Sequence, residues 1–204
     1  MALITQSFWE SFFESERSEW YFPLSIVREH ILTLLETKIS PTILHGGCGT
    51  ALLDHSISKL CFCIEFDFSR NALLKALAST PDEAYRCRNL MAADALRMPF
   101  KDGCCDLIIE KGLFDSITSR DSMSSVRAHD VICEFYRLVA DDGAVLIFSL
   151  FGSDSDEKDM LGLLCHDGFS VECRCLFISP VEIPSQQFCF LYILTKRPLP
   201  VFKS

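Results

Sequence analysis

The chain predicts an α/β fold built on one doubly wound, mostly parallel sheet of seven strands. Three observations carry that expectation. Pro41 to Ser69 reads as a β-prone run, a glycine turn, a helix-like run, a second apolar run and an acid. Beyond it, apolar runs of strand length alternate with amphipathic runs of helix length. The last two strand-like runs, Phe169–Phe177 and Phe188–Lys196, are separated only by a loop holding Pro180 and Pro184. Such neighbours form an antiparallel hairpin at one edge.

The elements follow in order. Residues 1–21 carry Phe8, Trp9, Phe12, Phe13, Trp20 and Tyr21, with Trp9, Phe12 and Phe13 on one helical face. That face either packs on the core or closes as a flap over a planar ligand, since aromatic faces suit an adenine or a sulfonium cation. Leu24, Val27, Ile31 and Leu34 make Pro23–Ser40 an amphipathic helix. Thr42–His45 is the first strand; Gly46, Gly47 and Gly49 turn the chain, and Ala51-Leu52-Leu53 starts a helix. Leu60–Phe66 is the second strand, ending at Asp67. Ser69 is placed to cap a helix over Arg70–Ala78, which Thr80-Pro81-Asp82 breaks. Cys87–Ala93 is a strand ending at Asp94, Asp102-Gly103 is a turn, and Cys105–Glu110 is a buried strand.

Ser122–Val139 is a helix with Val126, Val131, Ile132, Phe135 and Leu138 on one side. Asp141-Asp142-Gly143 turns into the strand Ala144–Ser149, and Glu157–Cys165 is helical. No repeat or linker divides the chain. A single domain over 1–204 is expected, with a helical flap and first helix in 1–40 and the sheet core in 41–204.

Composition narrows the partners. With 19 basic and 28 acidic residues the net charge is −9, which repels phosphate backbones and argues against nucleic acid. It suits a basic protein or an amine, or simply keeps the chain soluble. Eleven cysteines are present, but Cys61/Cys63 and Cys173/Cys175 alternate along strand-like runs rather than holding metal-ligand spacing, so no metal is expected. An odd number of thiols in apolar surroundings fits a reducing compartment. Glu10, Glu14, Glu16 and Glu19 rule out an Arg-rich transit peptide. The longest apolar run, around Gly143–Phe151, is far short of the roughly 20 residues a membrane span needs. A cytoplasmic protein off the membrane is expected.

The ligand is read from the turn. Asp67 lies 20 residues beyond Gly47, where an acid accepts hydrogen bonds from a ribose. A dinucleotide site wants Gly-x-Gly-x-x-Gly, and its last position here is Leu52, which argues against NAD or FAD. S-adenosyl-L-methionine carries no phosphate, so it needs the turn and the acid but not that third glycine. Asp67, Asp94 and Glu110 end strands and Asp115 follows closely. Any one of these fits a helix cap, but four at one rim mark the end of the sheet where ligands lie. There Asp94 would accept from the adenine amine, the Ala95 N–H would donate to the ring, and Glu110 lies near the switch point.

Ile109-Glu110-Lys111-Gly112-Leu113-Phe114-Asp115-Ser116 resembles a signature after the fourth strand in one branch of the class I, seven-β-strand S-adenosylmethionine methyltransferases. That branch holds the elongation factor 1-alpha lysine and N-terminal methyltransferases and the citrate synthase lysine methyltransferase. Gly47-Cys48-Gly49, Asp67-Phe68-Ser69 and Glu134–Leu138 resemble its other motifs, as do Trp9–Phe13, Glu19-Trp20-Tyr21 and the tail Phe188–Pro198. The resemblance implies a Rossmann-like fold and cofactor contacts from Trp9, Phe13, Trp20, Gly47, Gly49 and Asp67, and from Phe68, Asp94, Ala95, Glu110 and Lys111. It implies a protein-lysine N-methyltransferase acting on a protein such as elongation factor 1-alpha. A small-molecule methyltransferase and a cofactor-binding scaffold are the alternatives. Trp20 and Tyr21 would form a dry wall for the acceptor amine, while Glu110 and Asp115 orient it or pass its proton to water. His45 stands where the branch often has an acid, and Leu113 where its signature has Thr.

Overall fold

The computed structural model describes residues 5–14, 21–53, 55–80, 89–118, 123–152, 159–178 and 188–198. Its helices are α1 Gln6–Glu14, α2 Arg28–Leu35, α3 His55–Ser58, α4 Arg70–Ala78, α5 Leu113–Ile117, α6 Ser124–Leu138 and α7 Met160–Leu163. Its strands are β1 Thr42–Gly46, β2 Phe62–Asp67, β3 Asn89–Ala92, β4 Cys105–Lys111, β5 Val139–Ser149, β6 Phe169–Phe177 and β7 Phe188–Lys196. They form one sheet in the order β3-β2-β1-β4-β5-β7-β6. The pairings from β3 through to β5 are parallel, whereas β7 runs antiparallel to both β5 and β6. The expected edge hairpin is therefore present, with its second strand on the inside.

The central strands read as apolar runs because both of their faces are covered. Ile43, Leu107, Ile109, Leu146 and Phe148 enter one core, beneath Ile31 and Leu35 of α2 and Ile57 of α3. Their alternates Leu44, Ile108, Val145 and Ile147 enter the other, beneath Val131, Ile132, Phe135 and Leu138 of α6. Burying each such side chain contributes about 1.5–3 kcal/mol, which is what pins the helices to the sheet. A third, smaller cluster joins α1 to α4 through Trp9, Phe13 and Ala72.

Some elements match their sequence bounds. The helix after Asp67 spans Arg70–Ala78, and the Ser69 hydroxyl accepts from the Ala72 N–H at 3.2 Å, as a cap does. Others are corrected. The stretch from Pro23 opens as a 3-10 turn over Leu24–Val27, and α2 ends at Leu35. Ala51–Leu53 is not helical; α3 starts only at His55. The cause is the Glu65 carboxylate, wholly buried, which takes the Leu53 N–H at 2.6 Å and draws the chain off a helical path. Val126, at the start of α6, is 47% exposed rather than buried.

The expected turn at Asp141–Gly143 is a bulge in β5. Cys105 faces Val139 and Leu107 faces Ala144, so residues 140–143 loop out of the ladder. Lys196 and Lys38 bond the carboxylates of Asp141 and Asp142 there. The break at Pro81-Asp82, the start of the third strand at Cys87, Glu157 and the loop with Pro180 and Pro184 lie outside the described residues. No helix among the described residues is long and apolar enough to cross a membrane. Among those residues, no cluster of His, Cys, Asp and Glu is arranged to hold a metal.

Candidate functional site

The carboxyl ends of β1, β2 and β4 open onto a cleft of about 970 Å³, its solvent-filled mouth included. β1 feeds into Gly47 and Gly49, whose φ values are 58° and 56°, a region that disfavours side chains. A Cβ on Gly47 would come 2.8 Å from Leu113 Cβ, and one on Gly49 3.1 Å from Phe13 Cζ. The turn thus presents bare backbone to the cleft.

β2 delivers Asp67 beside that turn. Its Oδ2 accepts from the Gly49 N–H and its Oδ1 from the Ser69 N–H, both at 2.8 Å. Burial pushes the Asp67 carboxyl above its usual range, while the N–H groups of Ser69, Gly49 and Phe68 act to lower it. Further donors, such as two sugar hydroxyls, favour the ionised form. After β3, Asp94 is exposed with Oδ1 accepting from the Leu96 N–H at 3.0 Å, and Ala95 is buried. α1 lies along the cleft with Trp9 and Phe13 inward, their rings 5.8 Å apart. At the end of β4, the Lys111 ammonium sits 5.5 Å from the centre of the Phe22 ring.

Of the expected cofactor contacts, Trp9, Phe13, Gly47, Gly49 and Asp67 line this cleft, as do Phe68, Asp94, Ala95 and Lys111. Glu110 does not. It lies wholly buried under the rim, where its Oε2 accepts from the Phe114 N–H at 3.1 Å and fixes the start of α5. Trp20 lies outside the described residues. Tyr21 and Asp115 stand beside the cleft rather than on its wall. The Tyr21 hydroxyl donates to Asp115 Oδ2 at 3.0 Å, the Ser149 hydroxyl to Oδ1 at 2.8 Å, and the Leu150 N–H to Oδ2 at 3.2 Å.

Tyr21 holds a φ of 72°, which costs a side-chain-bearing residue about 1–3 kcal/mol and needs its surroundings to enforce it. Burial first, then the Asp115 carboxylate, drives its phenol far above the usual value. Tyr21 is therefore a hydrogen-bond donor, not a base.

Sequence reasoning missed Ser116 and Arg127, both on the wall. The Arg127 Nε donates to the Ile117 carbonyl at 2.7 Å, which brings the start of α6 to the cleft. Nothing local in the sequence signals this. His45 also lines the cleft, almost fully buried, with Nδ1 3.4 Å from Glu65 Oε1. Its oddity before the turn was visible; its partner was not, because the pairing depends on β1–β2 register.

Backbone amides, a carboxylate for vicinal hydroxyls and aromatic faces make a nucleoside site. The family profile described as "Methyltransferase domain" matches residues 44–147, half the chain. This chain belongs to the methyltransferase-domain family. Among curated proteins, none matches the sequence significantly. The N-methyltransferase NodS from Bradyrhizobium japonicum, solved with S-adenosyl-L-homocysteine, is 15% identical with a TM-score of 0.69, covering 96% of this chain and 100% of that one. A TehB-like methyltransferase from Corynebacterium glutamicum is 16% identical with a TM-score of 0.60, covering 95% and 100%. The glycopeptide N-methyltransferase MtfA, solved with S-adenosyl-L-methionine, is 11% identical with a TM-score of 0.62, covering 88% and 97%. At such identities these structures share the fold, a Rossmann-like methyltransferase sheet.

The cofactor of this methyltransferase is S-adenosyl-L-methionine, and the walls fit it. The side chains of Leu113 and Phe13 pack against Gly47 and Gly49 where a Cβ would stand. Asp67 would take the sugar hydroxyls, Asp94 and Ala95 the adenine, and Trp9 and Phe13 would lie along the ring and sulfonium.

Proposed function

We propose that this methyltransferase acts on nitrogen, and that its acceptor is a lysine side chain of a protein, elongation factor 1-alpha being the first candidate. The observation that carries the reading is the Tyr21–Asp115–Ser149 network, which sits beside the cleft on the segment resembling the protein-lysine branch. Two of the structures sharing this fold are of N-methyltransferases.

Bound cofactor supplies an electrophilic methyl group on a sulfonium. The protein must then present a neutral amine in line with it. A free lysine has a pKa near 10.4, so neutralising it at pH 7 costs roughly 4.6 kcal/mol. A dry aromatic surface beside the cleft, which Tyr21 offers, would lower that cost. A carboxylate on the wall would raise it, but Asp115 stands off the wall, turned to Tyr21, Ser149 and Leu150. Asp115 thus positions Tyr21, and Glu110 holds the turn of Gly112 to Phe114 that floors the acceptor space. The lysine proton leaves to water. An acidic chain suits a basic protein segment, and the ten free thiols described here suit the cytoplasm.

The test is tritiated S-adenosyl-L-methionine with the protein and a cell extract. Label running with protein, and loss of a lysine methyl mark on deletion by mass spectrometry, supports the reading. Label running with metabolites makes it a small-molecule methyltransferase. Absence of S-adenosyl-L-homocysteine binding at micromolar levels leaves only a scaffold.

A further inference from the structure

A helix N-terminus leaves four backbone N–H groups without partners inside the helix, and at α4 these groups are answered from three sources. Asp67 takes the N–H of the cap, Ser69, and the Ser69 hydroxyl takes the Ala72 N–H. The two between belong to Glu10, about sixty residues earlier in the chain. Glu10 Oε1 accepts from the Arg70 N–H at 2.9 Å and Oε2 from the Asn71 N–H at 3.0 Å. The Ser69 hydroxyl donates to Oε2 at 2.9 Å, and the Asn71 side chain donates to the Glu10 carbonyl at 3.2 Å. One turn earlier in α1, the Gln6 side chain donates to the Phe68 carbonyl at 2.9 Å.

A carboxylate at a helix N-terminus is favoured by the helix dipole, and hydrogen bonds to an ionised group are the stronger kind. Here those bonds tie α1 to the turn that carries Asp67 and Phe68. On the inner side of α1, Trp9 precedes Glu10 and Phe13 follows it by one turn, and both rings line the cleft. Phe13 reaches the glycine turn at Gly49. The polar flank of α1 is thus bolted to α4 while its aromatic flank forms cleft wall.

We infer that Glu10 is a positioning residue for the cofactor: its carboxylate caps α4 from another helix and so seats Trp9 and Phe13 against the bound ligand. This rests on the cofactor reading above. The contact couples the two events in both directions. Ligand in the cleft holds α1 down through the rings, and α1 held down by Glu10 completes the wall before ligand arrives.

The experiment is Glu10→Gln in the full chain. Glutamine keeps the length but turns one acceptor oxygen into an NH₂ donor, which must face a donor whichever way the amide lies. Amide hydrogen exchange across residues 6–14, without ligand, should speed up about tenfold, the loss of one charge-assisted hydrogen bond, while α6 is unchanged. The dissociation constant for S-adenosyl-L-homocysteine, by calorimetry, should rise about tenfold. Asp159→Ala is the control, since it removes the cap of α7 at the Gly162 N–H and lowers the Tm without touching α1. It should leave that dissociation constant unchanged. Unaltered exchange over 6–14 in Glu10→Gln would overturn the inference, and so would an affinity loss that Asp159→Ala reproduces. Wild-type protein that ignores S-adenosyl-L-homocysteine would sink the cofactor reading instead, with the exchange arm still deciding whether Glu10 holds α1.

Discussion

The two ends of the parallel strands treat carboxylates in opposite ways. At the carboxyl rim, Asp67, Glu110 and Asp115 are buried and held by backbone N–H groups and hydroxyls. At the amino end, exposed Asp102, Asp141 and Asp142 bond Arg137, Lys196 and Lys38. A cation consumes the charge of its partner, and at an exposed site the pair contributes little. Neutral donors hold a carboxylate in place while leaving its charge to act on whatever binds next. The rim is therefore built to bind, and the amino end to keep surface charge balanced.

The sharpest way to break that contrast is Asp67→Asn, which sets an amide donor against the N–H of Gly49 or Ser69. Calorimetry should show affinity for S-adenosyl-L-homocysteine falling about 100-fold, as loss of a charged acceptor with several partners implies. Next comes Tyr21→Phe, which removes one donor from Asp115 and frees a strained residue. Steady-state assays should find kcat down about tenfold with cofactor affinity within twofold; equal losses in both would place Tyr21 on the cofactor.

At the amino end the effects are on stability alone. Glu134 receives a two-point contact from Arg137 at 2.7 and 2.8 Å, which chiefly holds its carboxyl below the usual value, and the Met98 N–H at 2.7 Å, which adds to it. A carboxyl lowered on folding stabilises above its unfolded pKa, and that contribution is lost as pH falls through the folded value. Glu134→Gln should cost about 1 kcal/mol at pH 7 by denaturant unfolding and flatten the decline below about pH 4.5. Smallest is Asp141→Asn, an exposed partner of Lys196. Its Tm should move by less than about 1 °C, with ligand affinity unaltered.

Local chemistry was legible in the sequence wherever neighbours in the chain decide the outcome. Ser69 before Arg70–Ala78 is a cap because the N–H its hydroxyl accepts from is three residues away. Phe169–Phe177 and Phe188–Lys196 keep their bounds because β-prone apolar runs stop at turn formers. The cleft residues were legible for a related reason: strand ends and glycine turns are local, and the fold brings such ends together. What stayed hidden depends on partners far along the chain. Leu53 is kept from a helix by Glu65, a matter of how β1 and β2 align. Glu10 looked like one more surface acid until α4 met it. Tyr21 gave no sign of its backbone strain, which Asp115, 94 residues later, helps hold.

One feature of the sheet bears on how this protein is made. β7 comes last in the chain yet lies between β5 and β6. Until residues 188–196 leave the ribosome, the open edge of β5 presents Ala144–Ser149, an apolar ribbon with an unfilled ladder, and β6 has no neighbour. A nascent chain at that stage is a sticky half-sheet. Its window of danger closes only when β7 slots in, so a stop codon ahead of residue 188 should yield aggregate rather than a smaller enzyme.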